Sequence, residues 1–213
     1  MVQNMAKEVA KALLDIKAVF LRPNEPFTWA SGIKSPIYCD NRLILTSPDA
    51  RKIVEEAIAE TVKTHFPEVK TLMGTSTAGI AHAAIGAWIL DKPMGYVRGG
   101  NKDHGRGNRI EGKLEKGDKV VVIEDLISTA GSCVEVVEAL REEGAEVLGV
   151  VSIFTYGMKK GLERLKEAGV TNYSLSNYDT LLEVALEEKY ITPEEEAKLK
   201  KFMSNPSDES WML

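Results

Sequence analysis

Cysteine is scarce in this chain, and its scarcity argues against sites that depend on clustered thiols. The 213 residues include two cysteines, Cys39 and Cys133. They lie in unrelated sequence contexts, and neither has the spacing typical of metal ligands. We therefore expect a protein of a reducing compartment and predict a cytoplasmic location.

Long apolar runs and an excess of basic residues are also missing. No apolar stretch approaches the roughly 20 residues that span a bilayer, and residues 1–14 mix lysine and glutamate without the apolar core of a secretory signal. Acidic residues outnumber basic ones, 32 to 27, which gives a net charge of −5. A general affinity for nucleic acid or for an anionic membrane is therefore not expected. The length and the 44% hydrophobic content suit one domain over residues 1–213.

Short apolar runs alternate with amphipathic segments from about residue 47 to residue 155. This pattern predicts an α/β fold with a mostly parallel central sheet and helices on both faces, in which the strand-to-helix loops gather at one edge. Residues from about 1–46 and 170–213 fall outside the alternation and are expected to form a small hood over that edge. The predicted strands are 71–75, 94–98, 119–123 and 145–154, and the predicted helices include 6–21, one that starts at Pro48 after a Ser47 cap, 78–90 and 132–144.

The helix predicted at 78–90 is apolar and rich in alanine. Its Trp88 is therefore expected in the core. His65 and His82 also lie on predicted helices, and we expect both to be structural.

The stretch "VVVIEDLISTAGS" (120–132) places two acids directly after a buried apolar run. Glu124 and Asp125 would reach the ligand-binding edge of the sheet, and the chain would then turn into a helix near Ser132. A helix start exposes unpaired N–H groups and the positive end of the helix dipole, and the loop hydroxyls add donors. The stretch predicts a sugar-phosphate site, with phosphate on the loop and vicinal hydroxyls, or a Mg²⁺ ion that bridges hydroxyl and pyrophosphate oxygens, on the acids.

An ordinary capped helix would explain the loop equally well, because serine, threonine and glycine are common at helix starts. The paired acids favour the sugar-phosphate site, since carboxylates at the end of an apolar strand need a reason to be there. The stretch is neither a Walker loop nor a G-x-G-x-x-G fingerprint. Another sugar-phosphate or nucleotide binder on a doubly wound sheet stays open at this point.

A glycine-rich loop, "YVRGGNKDHGRGNRIEG" (96–112), forms the second constellation. It carries Arg98, Lys102, Arg106 and Arg109 against two acids, within an acidic protein. A solvated loop whose charges only keep it soluble is one interpretation. Beside a phosphate site, a mobile basic loop better suits a lid that closes over a polyanion and neutralises the leaving group.

Both stretches resemble the type I phosphoribosyltransferases. Residues 120–132 are similar to the PRPP-binding signature of that family. The loop pattern "R…K-D-H-G-x-G…EG", "FTWASGIKSPIYCDNR" (27–42), "VSIFTYG" and "LSNYDTLLEVALE" resemble its orotate phosphoribosyltransferase branch over nearly the whole chain. The resemblance implies transfer of the 5-phosphoribosyl group from PRPP to orotate, which gives orotidine 5′-monophosphate and pyrophosphate in de novo pyrimidine synthesis. It also implies Mg²⁺ as cofactor and a homodimer whose loop 98–112 is shared across the interface.

The resemblance also assigns roles to individual residues. Lys102 would be the catalytic cation, and Ser128 and Tyr38 would contact orotate. Glu124 and Asp125 would meet the metal indirectly, through PRPP. The residues that would hold PRPP are Arg98, Lys102, His104, Glu124, Asp125, Leu126, Ile127, Ser128, Thr129, Ala130, Gly131 and Ser132.

Some positions depart from the family pattern. Three lack a lysine that members often have, and one lies near the place of an arginine that helps to hold orotate. The partner of the orotate carboxylate is therefore open, with Lys34 and Arg42 as candidates. The three positions without the lysine are Gly99, Ala30 and Ala78, and the position near the arginine is Tyr156.

Two other functions stay open on the sequence alone. The first is phosphoribosyl transfer to a different base, because the signature reads only PRPP. The second is a non-catalytic regulator that senses PRPP. Residues 27–42 and the basic loop favour the orotate enzyme over the first, and the lack of a basic helix-turn-helix in residues 1–46 argues against the second.

Overall fold

The central element of the fold is a six-stranded sheet. The structure is a computed structural model, which describes residues 2–28, 32–99 and 109–212. Within these residues all pairs in the sheet are parallel except the last, β6 with β7, which is antiparallel. The predicted α/β architecture with a mostly parallel sheet is therefore confirmed. In spatial order the strands are Asn172–Asn177 (β10), Glu146–Thr155 (β9), Lys119–Ile127 (β8), Thr71–Thr75 (β5), Met94–Val97 (β6) and Ile110–Glu111 (β7).

Two small antiparallel pairs and the helices complete the described part of the chain. Val19–Leu21 (β1) pairs with Ile37–Cys39 (β4), and Phe27–Thr28 (β2) pairs with Lys34–Ser35 (β3). The helices are Val2–Asp15 (α1), Pro48–His65 (α2), Gly79–Leu90 (α3), Gly131–Glu142 (α4), Lys159–Glu167 (α5), Tyr178–Glu187 (α6) and Pro193–Ser204 (α7), with 3-10 turns at Asn41–Thr46 and Glu209–Met212.

The strand β8 shows why its sequence is a continuous apolar run. Residues 120–123 are fully buried, and successive side chains point to opposite faces of the sheet. Val121 and Ile123 join a core with α2, α3 and α6, whereas Val120 and Val122 join a core with α4 and α5. Because helices cover both faces, no position of the strand can be polar until the sheet edge is reached.

The first helix, α1, packs against α6 from the C-terminal segment. Val9 and Leu13 of α1 share a buried cluster with Leu181 of α6, and Lys7 forms an ion pair with Glu183 at 2.7 Å. These are the two segments that the sequence assigns to a hood, and the assignment of that role stays a prediction.

Two predicted boundaries away from the acids differ from the structure. The predicted helix 6–21 is wrong in its last part, because α1 ends at Asp15 and β1 follows. Lys17 adopts a left-handed conformation with φ of 56°, and the N–H of Ala18 returns to the carbonyl of Leu13, which ends the helix. The sheet also continues past residue 155, where the sequence placed the end of the core, because the polar strand β10 pairs with β9.

Trp88 is not a core residue. Its side chain on α3 is 86% exposed, and the neighbouring Ile89 is 46% exposed. The prediction was wrong because α3 is apolar on nearly all sides, so its sequence has no polar stripe to mark the face that points to solvent.

His82 links α3 to α2 inside the core. Its Nδ1 lies 2.5 Å from Oε1 of Glu55, and both side chains are buried. Burial raises the pKa of Glu55. Neither residue lines the cleft described below, which fits the expectation of a structural histidine.

No helix within the described residues is both long enough and apolar enough to cross a membrane.

Candidate active site

The two signature acids lie at the carboxyl end of β8, inside the strand rather than after it. The sequence predicted a strand over 119–123, whereas pairing with β9 continues to Ile127, opposite Thr155. The hydroxyl of Thr155 also donates to the carbonyl of Ile127 at 3.3 Å. The length of the neighbouring strand therefore decides where β8 ends.

Glu124 is a buried carboxyl group, 4% exposed, at the base of the site. Its Oε1 accepts hydrogen bonds from Thr75 Oγ1 at 2.7 Å and from the backbone N–H of Asp125 at 3.0 Å. Burial, and next the interaction with the Asp125 side chain, raises the pKa of Glu124 to about 8, although the bond from Thr75 opposes the rise. Burial therefore favours the protonated form of this group in the ligand-free protein.

A cleft of about 270 Å³ opens in front of these acids. It lies between the loop after β5, the end of β8 and the start of α4. The lining residues are Thr75, Ser76, Thr77, Ala78, Gly99, Arg109, Glu124, Asp125, Leu126, Ser132, Glu135 and Val136.

Gly79 allows the loop after β5 to approach the acids. A Cβ at this position would lie 2.4 Å from the carbonyl oxygen of Ile123 and 2.5 Å from Oγ1 of Thr75. Only a glycine lets the start of α3 pack so closely on β8. The loop 76–78 consequently forms one wall of the cleft.

The predicted phosphate loop follows β8 and enters α4 at Gly131, close to the predicted start at Ser132. Ala130 precedes the helix in a left-handed conformation, with φ of 57°. No side chain in the described part of the chain caps this helix start. The first N–H groups of α4 are therefore left for water or a ligand. Leu126, Ile127, Ser128 and Thr129, the other predicted PRPP residues, connect the acids to this start.

The basic loop is described only at its two ends. Nη1 of Arg98 donates to Glu111 Oε1 at 2.8 Å, and the backbone of Arg98 pairs with that of Arg109. Gly99 donates its N–H to Ser76 Oγ at 2.9 Å, which ties the loop to the cleft wall. Arg109 reaches the cleft lining. Lys102, His104, Arg106 and also Ala30 lie outside the described residues.

Tyr38 and the two candidate carboxylate partners lie near the N-terminal pairs and do not line the cleft. Tyr38 is 41% exposed and packs on Phe27, with ring centroids 5.6 Å apart. Lys34 donates to Thr28 Oγ1 at 2.7 Å. Arg42 forms two bonds to Asp40, of 2.6 and 2.7 Å, and these bonds lower the pKa of Asp40.

Sequence reasoning missed two side chains that contact the acids. Thr75 holds Glu124, as described above. The buried Asn41 donates from Nδ2 to the backbone carbonyl of Asp125 at 2.7 Å, although 84 residues separate them. A polar residue at the carboxyl end of the predicted strand 71–75 was a usable signal for Thr75, whereas nothing local marks Asn41.

Comparisons with known proteins agree with this geometry. The family model described as "Phosphoribosyl transferase domain" matches residues 41–184. The curated "Orotate phosphoribosyltransferase" of Bacillus cereus (strain G9842) is 57% identical over 208 residues, which are 98% of this chain and 99% of the relative. Among solved structures, orotate phosphoribosyltransferase from Aeropyrum pernix is 30% identical with a TM-score of 0.74, and the match covers 86% of this chain and 99% of that one. Leishmania donovani UMP synthase is 30% identical with a TM-score of 0.80, over 93% of this chain and 42% of that longer one.

The resemblance found in the sequence motifs is thus confirmed over almost the full length, and the chain belongs to the orotate phosphoribosyltransferase family of the phosphoribosyl transferases.

Proposed function

We propose that this protein is an enzyme that transfers the 5-phosphoribosyl group from PRPP to orotate, with orotidine 5′-monophosphate and pyrophosphate as products. The observation that carries the proposal is the pair of acids beside an uncapped helix start, in a chain 57% identical to curated orotate phosphoribosyltransferases. The resemblance to this family of pyrimidine enzymes also implies a cytoplasmic location, which we expect here. We expect no nucleic-acid partner.

In the proposed complex the sugar phosphate lies across the cleft. The 5′-phosphate would be bound by the N–H groups and hydroxyls of residues 128–132, with the positive end of the α4 dipole behind them. The ribose hydroxyls would lie against Glu124 and Asp125. The pyrophosphate would point toward Arg98, Lys102 and His104, so that Arg98 exchanges its present bond to Glu111 for one to the ligand. Arg109 lines the same cleft and can add to the positive charge there.

The reaction is a displacement at the anomeric carbon of the ribose. Positive charge builds on the sugar ring as pyrophosphate departs, so the chain's task is to position both substrates and to stabilise charge. The acids would lie near the cationic ring, and Lys102 would offset the charge of the leaving group. No covalent nucleophile is needed.

Orotate would be held by Ser128 and Tyr38, in keeping with the family pattern. Its carboxylate needs a cation, and Arg42 is already committed to two bonds with Asp40. Lys34 is bound only to a neutral hydroxyl, so it is the easier of the two to redirect.

The donor set fits a magnesium ion that arrives with PRPP. Among the described residues, no group of three or more histidine, cysteine or acidic side chains could hold a metal ion. Two acids at the cleft can still accept the hydroxyls of a metal-bound sugar. When bound, Mg²⁺ neutralises the pyrophosphate oxygens and makes pyrophosphate a better leaving group.

The identity of the acceptor base is tested directly by assay. Purified protein with PRPP and Mg²⁺ is expected to consume orotate, seen as a fall in its absorbance, with equal release of pyrophosphate. Purine bases and uracil are the matched controls and should give no product. Turnover of a purine base instead of orotate, or PRPP binding without product from any base, would overturn the proposal.

We also propose a homodimer in which the loop 98–112 of one subunit contributes to the active site of the other. A mixture of Lys102→Ala and Asp125→Asn subunits tests this arrangement, because a mixed dimer then contains one site with both residues intact. We expect about a quarter of wild-type activity after random mixing, although each variant alone is nearly inactive. If the loop serves its own subunit, every site keeps one defect and mixing restores nothing.

The exposed apolar surface of α3 supports self-association. Trp88 and Ile89 are adjacent and both exposed, and contiguous exposed apolar surface marks contact sites, whereas single exposed apolar residues are normal. α3 leads into β6 and hence into the shared loop. Trp88→Glu is expected to shift the protein from dimer to monomer at micromolar concentration in light scattering. Leu162→Glu changes a smaller apolar side chain that is exposed singly, 57% on α5, and should leave the dimer intact. A Trp88→Glu protein that stays dimeric would remove α3 from the interface.

A further inference from the structure

Helix α5 packs directly against the outer side of the phosphate loop. At Gly161 a Cβ would lie 2.4 Å from the carbonyl oxygen of Ser128 and 3.6 Å from the carbonyl carbon of Thr129. No side chain larger than hydrogen fits at this distance without a shift of the loop or the helix. The Ser128 carbonyl therefore faces α5.

Arg164 adds a second contact from the same helix face, three residues after Gly161. Its Nη1 donates to the carbonyl oxygen of Thr129 at 3.1 Å and lies 3.4 Å from Oγ1 of the same residue. A Cβ at Gly131 would lie 3.0 Å from this nitrogen, so the guanidinium extends from the loop to the first residue of α4. Within the described residues Arg164 forms no ion pair with a carboxylate.

Arg164 approaches the loop from behind the site. It lines a separate, open cavity of about 410 Å³ between α4 and α5, and it is absent from the lining of the cleft that holds the acids. The guanidinium therefore lies outside the lining of the cleft, and of the phosphate loop it shares its cavity with Gly131. Any effect on the site must pass through the loop.

The contacts with α5 also determine the direction of two N–H groups of the loop. In a trans peptide the carbonyl and the following N–H point in opposite directions. The carbonyls of Ser128 and Thr129 both face α5, so the N–H groups of Thr129 and Ala130 point away from it. Ala130 also has φ of 57°, a conformation that is unfavourable for a non-glycine residue and persists only where the surroundings hold it.

We propose that Arg164 is a positioning residue for the phosphate loop. By binding the Thr129 carbonyl it fixes the orientation of the Thr129–Ala130 peptide unit, while Gly161 packs against the Ser128 carbonyl. Arg164 thus presents the N–H of Ala130 to the sugar phosphate before the ligand arrives. Its positive charge behind the loop adds to the α4 dipole and favours a dianionic group. The inference rests on the proposed role of residues 128–132 as the 5′-phosphate site.

The experiment compares Arg164→Ala with three other variants by steady-state kinetics and by the thermal midpoint. We expect Arg164→Ala to raise the KM for PRPP about tenfold, with the KM for orotate unchanged, because a charge-assisted bond to the loop is lost. Arg164→Lys should recover part of this loss. Gly161→Ala should give the same selective effect on PRPP from the other contact.

The matched control is Arg141→Ala. Arg141 also donates to backbone carbonyls, those of Ala168 and Gly169 at 2.6 and 3.2 Å, but it does not contact the loop. The Arg141→Ala variant should lower the thermal midpoint about as much as Arg164→Ala does, and it should leave the KM for PRPP unchanged. If Arg164→Ala leaves the KM for PRPP unchanged, or raises both KM values alike, the positioning role is overturned.

A further variant, Ser132→Asp, shows whether a negative result contradicts only the role of Arg164 or the phosphate site itself. An acid in the first turn favours the helix, so folding should survive, whereas its charge should abolish PRPP binding. If Ser132→Asp abolishes binding and Arg164→Ala has no effect, only the positioning role is wrong. If neither variant changes the KM for PRPP, the phosphate site itself is misplaced and the inference falls with it.

Discussion

Replacement of Lys102 by alanine is expected to lower turnover by about a hundredfold to a thousandfold, while affinity for PRPP changes by less than about tenfold. The reason is that the extra negative charge on pyrophosphate develops only as the reaction proceeds. Lys102 belongs to the basic loop and would meet the extra negative charge of pyrophosphate as the bond from the anomeric carbon to pyrophosphate breaks, so its contribution is made mainly in the transition state. The turnover number with orotate and calorimetric binding of PRPP measure the two quantities separately.

The loop offers a control lysine close in sequence. Lys113 follows the loop, is 84% exposed and pairs with Glu115 at 2.7 Å. Lys113→Ala removes the same charge from the same region and should leave turnover within about twofold of the wild type. Lys102→Arg keeps the charge but changes its shape and reach, so an intermediate turnover is expected. Unchanged turnover in Lys102→Ala would remove the lysine from the chemistry.

The parts of the site that the sequence revealed are those built from neighbouring residues. The acids Glu124 and Asp125 adjoin an apolar run, and the loop to Gly131 follows at once, so both features lie within a few residues of each other. The end of β8 was misplaced because it depends on pairing with β9, which no local pattern expresses. The same reason explains why the polar edge strand β10 was missed.

The remaining contacts come from segments that only the fold brings together. Asn41 bonds to Asp125, and Arg164 bonds to Thr129, across 84 and 35 residues respectively. Neither side chain differs in the sequence from an ordinary surface residue. Trp88 illustrates the opposite case, in which an apolar sequence suggests burial but the tertiary structure leaves the residue exposed. Site residues that are neighbours in the sequence could therefore be predicted here, whereas the long-range contacts that hold them in place could not.

Replacement of Glu124 by glutamine is expected to stabilise the ligand-free protein at alkaline pH, by on the order of 3–5 kcal/mol at pH 9. The pKa of Glu124 is about 8 in the folded protein and near 4.5 in the unfolded chain. The stability that the protonated group contributes is fully present below pH 4.5. It is lost as the pH rises through 8, because the unfolded chain ionises first. Glutamine is uncharged at every pH and can still accept the bond from Thr75.

Unfolding in urea from pH 5 to pH 9 measures this difference. The two proteins should be about equally stable at pH 5, and the glutamine variant should gain progressively above it, with a thermal midpoint higher by about 10 °C at pH 9. Thr75→Val removes the hydrogen bond that lowers the pKa of Glu124, so the loss of stability should move to still higher pH. A difference between wild type and Glu124→Gln that stays constant across this range would mean that Glu124 is ionised throughout. The buried carboxyl group would then be stabilised by a contact other than those with Thr75 and Asp125.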